Sequence, residues 1–160
     1  AHAMKTLLIV AHCPSDNTKR LVHAMDSAIQ TAIQSMLIEG VTVVVKSPLQ
    51  ATAADVLQAD AILIGTTENF GYMAGLTKDF FERIFYPVLE QKQGLPVACY
   101  IRAGLDGTGT QGSIERIVTG LRWRWAQPPL VLKGDWSEEF CEQVSELALT
   151  LCAGLSLNML

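Results

Sequence analysis

Three polar loops hold the residue types from which a binding or redox site can be built. The first, His12-Cys13-Pro14-Ser15-Asp16-Asn17-Thr18, follows a short apolar run and leads into a helical pattern. Hydroxyls, an amide and unpaired backbone N–H groups at a helix start make an anion site, because orphan donors and the helix dipole both favour negative charge. The plainer reading is a capping loop in which Asp16 or Asn17 caps the helix. The second loop runs from Gly65 to Gly75 and brings together Thr67, Glu68, Asn69, Phe70, Gly71, Tyr72 and Met73. Its glycines let backbone donors approach closely and its aromatic rings offer stacking faces, which suits a flat heteroaromatic ligand. The competing reading is an ordinary strand-to-helix turn whose aromatic residues fold back into the core. The third loop, around Asp106, Gly107, Thr108, Gly109 and Thr110, is a pliable, donor-rich edge that means little taken singly.

These loops sit between segments of alternating period. Apolar runs at Leu7–Val10, Val41–Val45, Ala61–Ile64, Pro96–Ile101 and Leu130–Leu132 read as five buried strands. Between them, Leu21, Val22, Met25, Ala28, Ile29, Ala32, Ile33 and Met36 follow one helical face from Thr18 until Gly40. Further helices are expected over 53–59, from Gly75 to Tyr86 with Pro87 as the stop, over 111–121, and along 140–152 with Gly154 at the end. Strand and helix in alternation imply a parallel sheet covered on both faces. Ligands of such sheets bind beyond the carboxyl ends of the strands, where the strand order switches, and all three loops fall there.

Bulk composition narrows the choice. The chain has 160 residues, 49% hydrophobic and 18% charged, enough for one folded domain over residues 4–160. Ala1-His2-Ala3 ahead of Met4 reads as a cloning remnant. The first apolar run is too short for a signal-peptide core or a membrane span. The four cysteines, Cys13, Cys99, Cys141 and Cys152, are scattered without a CxxC pair, so neither a disulfide framework nor a metal site is indicated, and a reducing cytoplasm is the expected compartment. The net charge of −4 carries no basic stripe, which argues against nucleic acid as a partner.

Together the three loops resemble the FMN site of the flavodoxin superfamily. The segment GTTENFGYMAG is similar to the isoalloxazine loop of NAD(P)H:quinone oxidoreductases of the tryptophan-repressor-binding-protein type, and LTKDFFER resembles that family's next helix. The resemblance implies a flavodoxin-like three-layer α/β sandwich whose five parallel strands run in the order 2-1-3-4-5. It implies FMN as cofactor, NAD(P)H as reductant and a quinone or similar small molecule as electron acceptor. By that likeness Ser15, Asn17 and Thr18 hold the phosphate with His12 and Cys13 beside them, 67–73 wrap the isoalloxazine, and 106–110 face its pyrimidine side. Two positions depart from the family pattern: Cys13 stands where a hydroxyl residue is usual, and Asp16 where glycine is usual. The chain is also too short for the extra insertion of the quinone-reductase relatives.

With the redox chemistry carried by the cofactor, no catalytic side chain is expected. An electron carrier of the flavodoxin type is the nearest rival, although such carriers are strongly acidic and are steered by their field. A low-molecular-weight phosphatase using Cys13 is a remote one. Its phosphate clamp needs an arginine where this chain has Lys19, a point charge without the bidentate fork. Trp123 and Trp125 flank Arg124 at strand spacing and suit a core or a subunit interface, which keeps a homo-oligomer among the expectations. His23 is expected to be solvated, and Cys141 and Cys152 to be buried small hydrophobes.

Overall fold

A computed structural model describes residues 4–160; the tripeptide read as a remnant lies outside the described residues. In chain order the elements are β1 (Lys5–Ala11), α1 (Asp16–Gln34), β2 (Val41–Lys46), α2 (Ala53–Gln58), β3 (Ala61–Asn69), β4 (Tyr72–Met73), α3 (Gly75–Val88), β5 (Pro96–Ala103), α4 (Thr108–Leu121), β6 (Arg124–Trp125), β7 (Leu130–Lys133) and α5 (Glu139–Ser156).

The strands β2, β1, β3 and β5 lie side by side and parallel, and β6 and β7 both pair in parallel with the free edge of β5. The expected order is therefore present, with its fifth place shared by two short strands. Val97 pairs with Trp125 and Tyr100 with Leu130, so 126–129 stand opposite only Ala98 and Cys99. Pro128 and Pro129 lie in that excess and cannot donate to the ladder. The other strand not foreseen, β4, pairs antiparallel with the end of β3.

Alternation of side chains along the strands divides the core in two. Leu7, Ile9, Leu63 and Tyr100 face α1 and α5, where they meet Leu21, Met25, Ile29, Val144 and Leu151. Leu8, Val10, Ile62, Ile64 and Ile101 face the opposite way, against Val56, Phe80, Ile84, Ile114 and Val118 from α2, α3 and α4. Trp123 is buried in this second core, Trp125 packs at its margin, and Cys141 is half-buried where full burial was expected.

Several element ends differ from the sequence reading for identifiable reasons. Helix α1 closes at Gln34 because Met36 turns left-handed (φ 64°), and the Met36 and Leu37 N–H groups return to the Ile33 and Ala32 carbonyls at 3.1 and 2.9 Å. That is a Schellman close made without glycine. Pro87 does not stop α3 but sits in its last turn, where Leu89 N–H still reaches the Phe85 carbonyl at 2.9 Å. Gly154 lies inside α5, because Leu160 folds back over it and Met159 N–H bonds its carbonyl at 2.8 Å. Among the described residues no helix is long and apolar enough to cross a membrane.

One contact fixes the centre of the sheet. Gly65 on β3 lies under the Tyr100 ring of β5, and a Cβ at position 65 would come within 2.2 Å of Tyr100 Cζ. The phenol is fully buried and its hydroxyl has no partner among the described residues. Gly65→Ala is expected to destabilise the fold by about 1–3 kcal/mol through overpacking. Tyr100→Phe, which removes the orphan hydroxyl and keeps the ring, is expected to be neutral or stabilising. Denaturant unfolding of the two variants checks both signs.

Candidate functional site at the carboxyl edge

Helix α1 is opened by Ser15 rather than by Asp16 or Asn17. Ser15 takes an extended backbone, its Oγ accepts the Thr18 N–H at 3.2 Å, and its own N–H donates to Thr18 Oγ1 at 3.0 Å. This capping box commits both hydroxyls to each other. The N–H groups of Asp16 and Asn17 have no partner among the described residues and form the available pair of donors at the positive end of a 19-residue helix. Asp16 and Asn17 are exposed, whereas Thr18 is buried.

His12 and Cys13, at the exit of β1, are half-buried. The loop is tied to β3 by the His12 N–H, which donates to the Gly65 carbonyl at 2.9 Å. Burial lowers the His12 imidazole from its ordinary range, so it is neutral at physiological pH. Burial raises the Cys13 thiol, and the nearby Lys19 charge only partly opposes this. A thiolate nucleophile needs the reverse environment, which weighs against the phosphatase reading.

The second loop is a β-hairpin. Glu68 pairs with Met73 and Asn69 with Tyr72, leaving Phe70 (φ 53°) and Gly71 (φ 71°) as a two-residue tip. Two successive positive φ values define the hairpin turn whose twist matches the flanking strands. Glycine meets that demand freely, while phenylalanine meets it under strain. The Phe70 ring is fully exposed, Tyr72 is partly so, and Met73 turns inward into the core. Thr67 Oγ1 bonds Asn69 Oδ1 at 3.0 Å.

The residue that anchors this hairpin is Thr66, which sequence reasoning passed over in favour of Thr67. Its buried Oγ1 accepts from the Ala74 N–H at 3.1 Å and the Thr77 hydroxyl at 3.2 Å, and donates to the Thr67 carbonyl at 3.0 Å. The available signal was the period: Thr66 continues the face of Ile62 and Ile64, so it had to be a buried polar group with its bonds made internally.

The third loop is shorter than expected, since Thr108, Gly109 and Thr110 are already the first turn of α4. Gly107 opens the helix in the left-handed conformation without a side-chain cap. Asp106 accepts the Thr108 N–H at 3.0 Å, and that bond holds its carboxyl below the usual range. The Gly109 and Thr110 N–H groups stay unpaired among the described residues, and the fully buried Thr110 hydroxyl has no partner. The hairpin rests directly on this turn, since a Cβ on Gly109 would lie 2.1 Å from the Gly71 carbonyl oxygen. Loops two and three are thus one continuous surface, and the start of α1 stands beside it across the β1–β3 switch point.

The fold is flavodoxin-like. No family model matches the sequence, and no curated protein matches it either. Among solved structures, a flavodoxin from the domain Archaea superposes with a TM-score of 0.74 at 17% identity, over 94% of this chain and 98% of the other. A flavodoxin, WrbA-like protein from Agrobacterium tumefaciens gives 0.70 at 14% identity over 99% and 100%. An oxidoreductase from Corynebacterium diphtheriae gives 0.68 at 16% identity over 99% of both chains.

The Cys13 environment predicts slow alkylation at neutral pH. The rate at Cys13, followed by peptide mapping after iodoacetamide treatment, is expected to keep rising with pH beyond the ordinary thiol range. A rate already at its plateau at neutral pH would contradict the assignment.

Proposed function

We propose that the chain is an FMN-binding oxidoreductase that takes electrons from NADH or NADPH and passes them to a quinone or similar small acceptor. The observation that carries this reading is the convergence at one sheet edge of the Asp16 and Asn17 N–H pair with the hairpin tip packed on the start of α4. The donor set fits the cofactor. Two unpaired N–H groups at a helix start suit a phosphate. An exposed aromatic ring and the donors at the α4 start suit the flat faces and polar rim of an isoalloxazine.

When bound, FMN supplies the electron-transfer chemistry, and the protein supplies placement and electrostatics. In this arrangement Ser15 and Thr18 hold the turn that presents the Asp16 and Asn17 donors. The backbone of Asn69, Phe70 and Gly71 offers polar groups to one edge of the ring. The Gly109 and Thr110 N–H groups, aligned with the α4 dipole, favour negative charge on the pyrimidine side.

The second reading is a flavin-based electron carrier, and the flavodoxins among the structural neighbours favour it. The net charge of −4 gives a weak steering field for a protein partner, which weighs toward the enzyme.

Fluorescence titration is expected to show FMN binding at least about tenfold tighter than riboflavin, the worth of one or two charge-assisted hydrogen bonds. Equal affinities would remove the phosphate site, and binding of neither would overturn the flavoprotein reading. Under anaerobic conditions NADH or NADPH should then bleach the bound flavin within seconds and a quinone should restore its colour. Sluggish bleaching by both nucleotides would favour the carrier.

A further inference from the structure

Most cations near the carboxyl edge are already committed to a partner. Lys46 pairs with Asp55 at 2.8 Å, Lys78 with Glu82 at 3.6 Å, and Arg20 with Glu138. Arg102 donates to the Ala103 and Leu132 carbonyls. Lys133 stands near Asp106, whose carboxyl is held down first by the Thr108 N–H and then by this charge. Lys19 differs from all of these. It is exposed, and no ion pair among the described residues joins it to a carboxylate.

Its place on α1 aims it at the anion loop. The Lys19 N–H closes the first turn of the helix on the Ser15 carbonyl at 3.0 Å. Helical side chains lean toward the N-terminus, so the patch a residue covers lies over the turn before it. For Lys19 that turn carries the unpaired Asp16 and Asn17 N–H groups. Its charge reaches Cys13 in the same loop, where it opposes the larger effect of burial on the thiol. Arg20, one residue on, is turned to α5 instead, paired with Glu138 and 5.3 Å from the Trp136 ring centroid.

Asp16 makes a free cation at this turn necessary. It occupies the first position of α1, exposed, with no hydrogen bond or ion pair to its side chain among the described residues. A phosphate monoester carries roughly −1.5 to −2 at neutral pH and is repelled by such a carboxylate. Lys19 lies three residues further along, and a spacing of three brings two side chains to the same helix face. One ammonium there offsets the carboxylate and leaves the two N–H dipoles to favour the anion.

On the flavoprotein reading above, we infer that Lys19 is the side-chain counter-cation of the cofactor's phosphate, folding over the α1 start to bind it and to offset Asp16. A compact ammonium on a flexible stem suits this task, because its three donors can follow an exposed terminal phosphate without the fixed approach a guanidinium fork demands.

Fluorescence titrations of the full chain with FMN and riboflavin test this in the wild type, Lys19→Gln, Lys19→Arg and the double variant Lys19→Gln/Asp16→Asn. Thermal melting verifies folding, and Lys19→Met replaces Lys19→Gln if that variant does not fold. Lys19→Gln is expected to weaken FMN about tenfold, the worth in water of one ammonium roughly 5 Å from such a charge. Riboflavin affinity should stay within about twofold, Lys19→Arg should keep most of the FMN affinity, and the double variant should recover most of what Lys19→Gln loses. Unchanged FMN affinity in Lys19→Gln, equal weakening of both ligands, or a double variant as weak as Lys19→Gln would overturn the inference while the flavoprotein reading stands. Binding of neither flavin by the wild type would overturn both.

Discussion

A single buried hydroxyl organises the carboxyl edge. Thr66 Oγ1 lies where β3 stops being covered by helices, and it bonds the backbone at Ala74, the side chain of Thr77 and the carbonyl of Thr67. The strand end, the returning arm of the hairpin and the first turn of α3 are thereby joined through one atom. In the low dielectric of the core such bonds strengthen, and losing one leaves a costly orphan. The hairpin tip inherits its position from this knot, and the start of α4 inherits its neighbour from the tip, because Gly109 has no side chain to hold Gly71 away. Strain at Phe70 is tolerated because the flanking pairs on both sides of the turn are already fixed.

The electrostatics of the edge are made chiefly from backbone. Lys46 is spent on Asp55, and Arg20 pairs with Glu138 while lying 5.3 Å from the Trp136 ring centroid. Arg102 lies over the Phe140 ring and donates to the Ala103 and Leu132 carbonyls at 2.9 and 3.1 Å, clamping β5 to β7. The starts of α1 and α4 add unpaired N–H groups to this edge. Partial charges of this kind hold an anion while leaving an aromatic ring unhindered.

The layering was legible because buried parallel strands read as unbroken apolar runs and their helices repeat on one face, as Leu21, Met25 and Ile29 show, whereas the strand order came only with the family resemblance. Element ends were legible only where a side chain alone decides them. Met36 closes α1 in a conformation glycine normally supplies, and Gly154 continues α5 because Leu160, distant in the pattern, packs over it. The three loops lie at the carboxyl edge of the sheet, as the alternation of strand and helix required, but their internal structure was not legible. Ser15 and Thr18 cap rather than offer free hydroxyls, Met73 turns inward, and Thr108 to Thr110 are helix. The turn at Ser47–Gln50 left no local mark, since Arg83, more than thirty residues away, shapes it through backbone carbonyls.

The central claim is that a flavin sits on the joined surface of the α1 start, the hairpin tip and the α4 start. Amide chemical-shift mapping during an FMN titration of the isotopically labelled chain tests it most directly. The account predicts the largest perturbations at the Asp16 and Asn17 amides, at Asn69 to Tyr72, and at Gly109 and Thr110, with Lys5, Gly40 and Asn158 at the opposite edge unmoved. Perturbations concentrated at that opposite edge, or spread evenly over the surface, would contradict it.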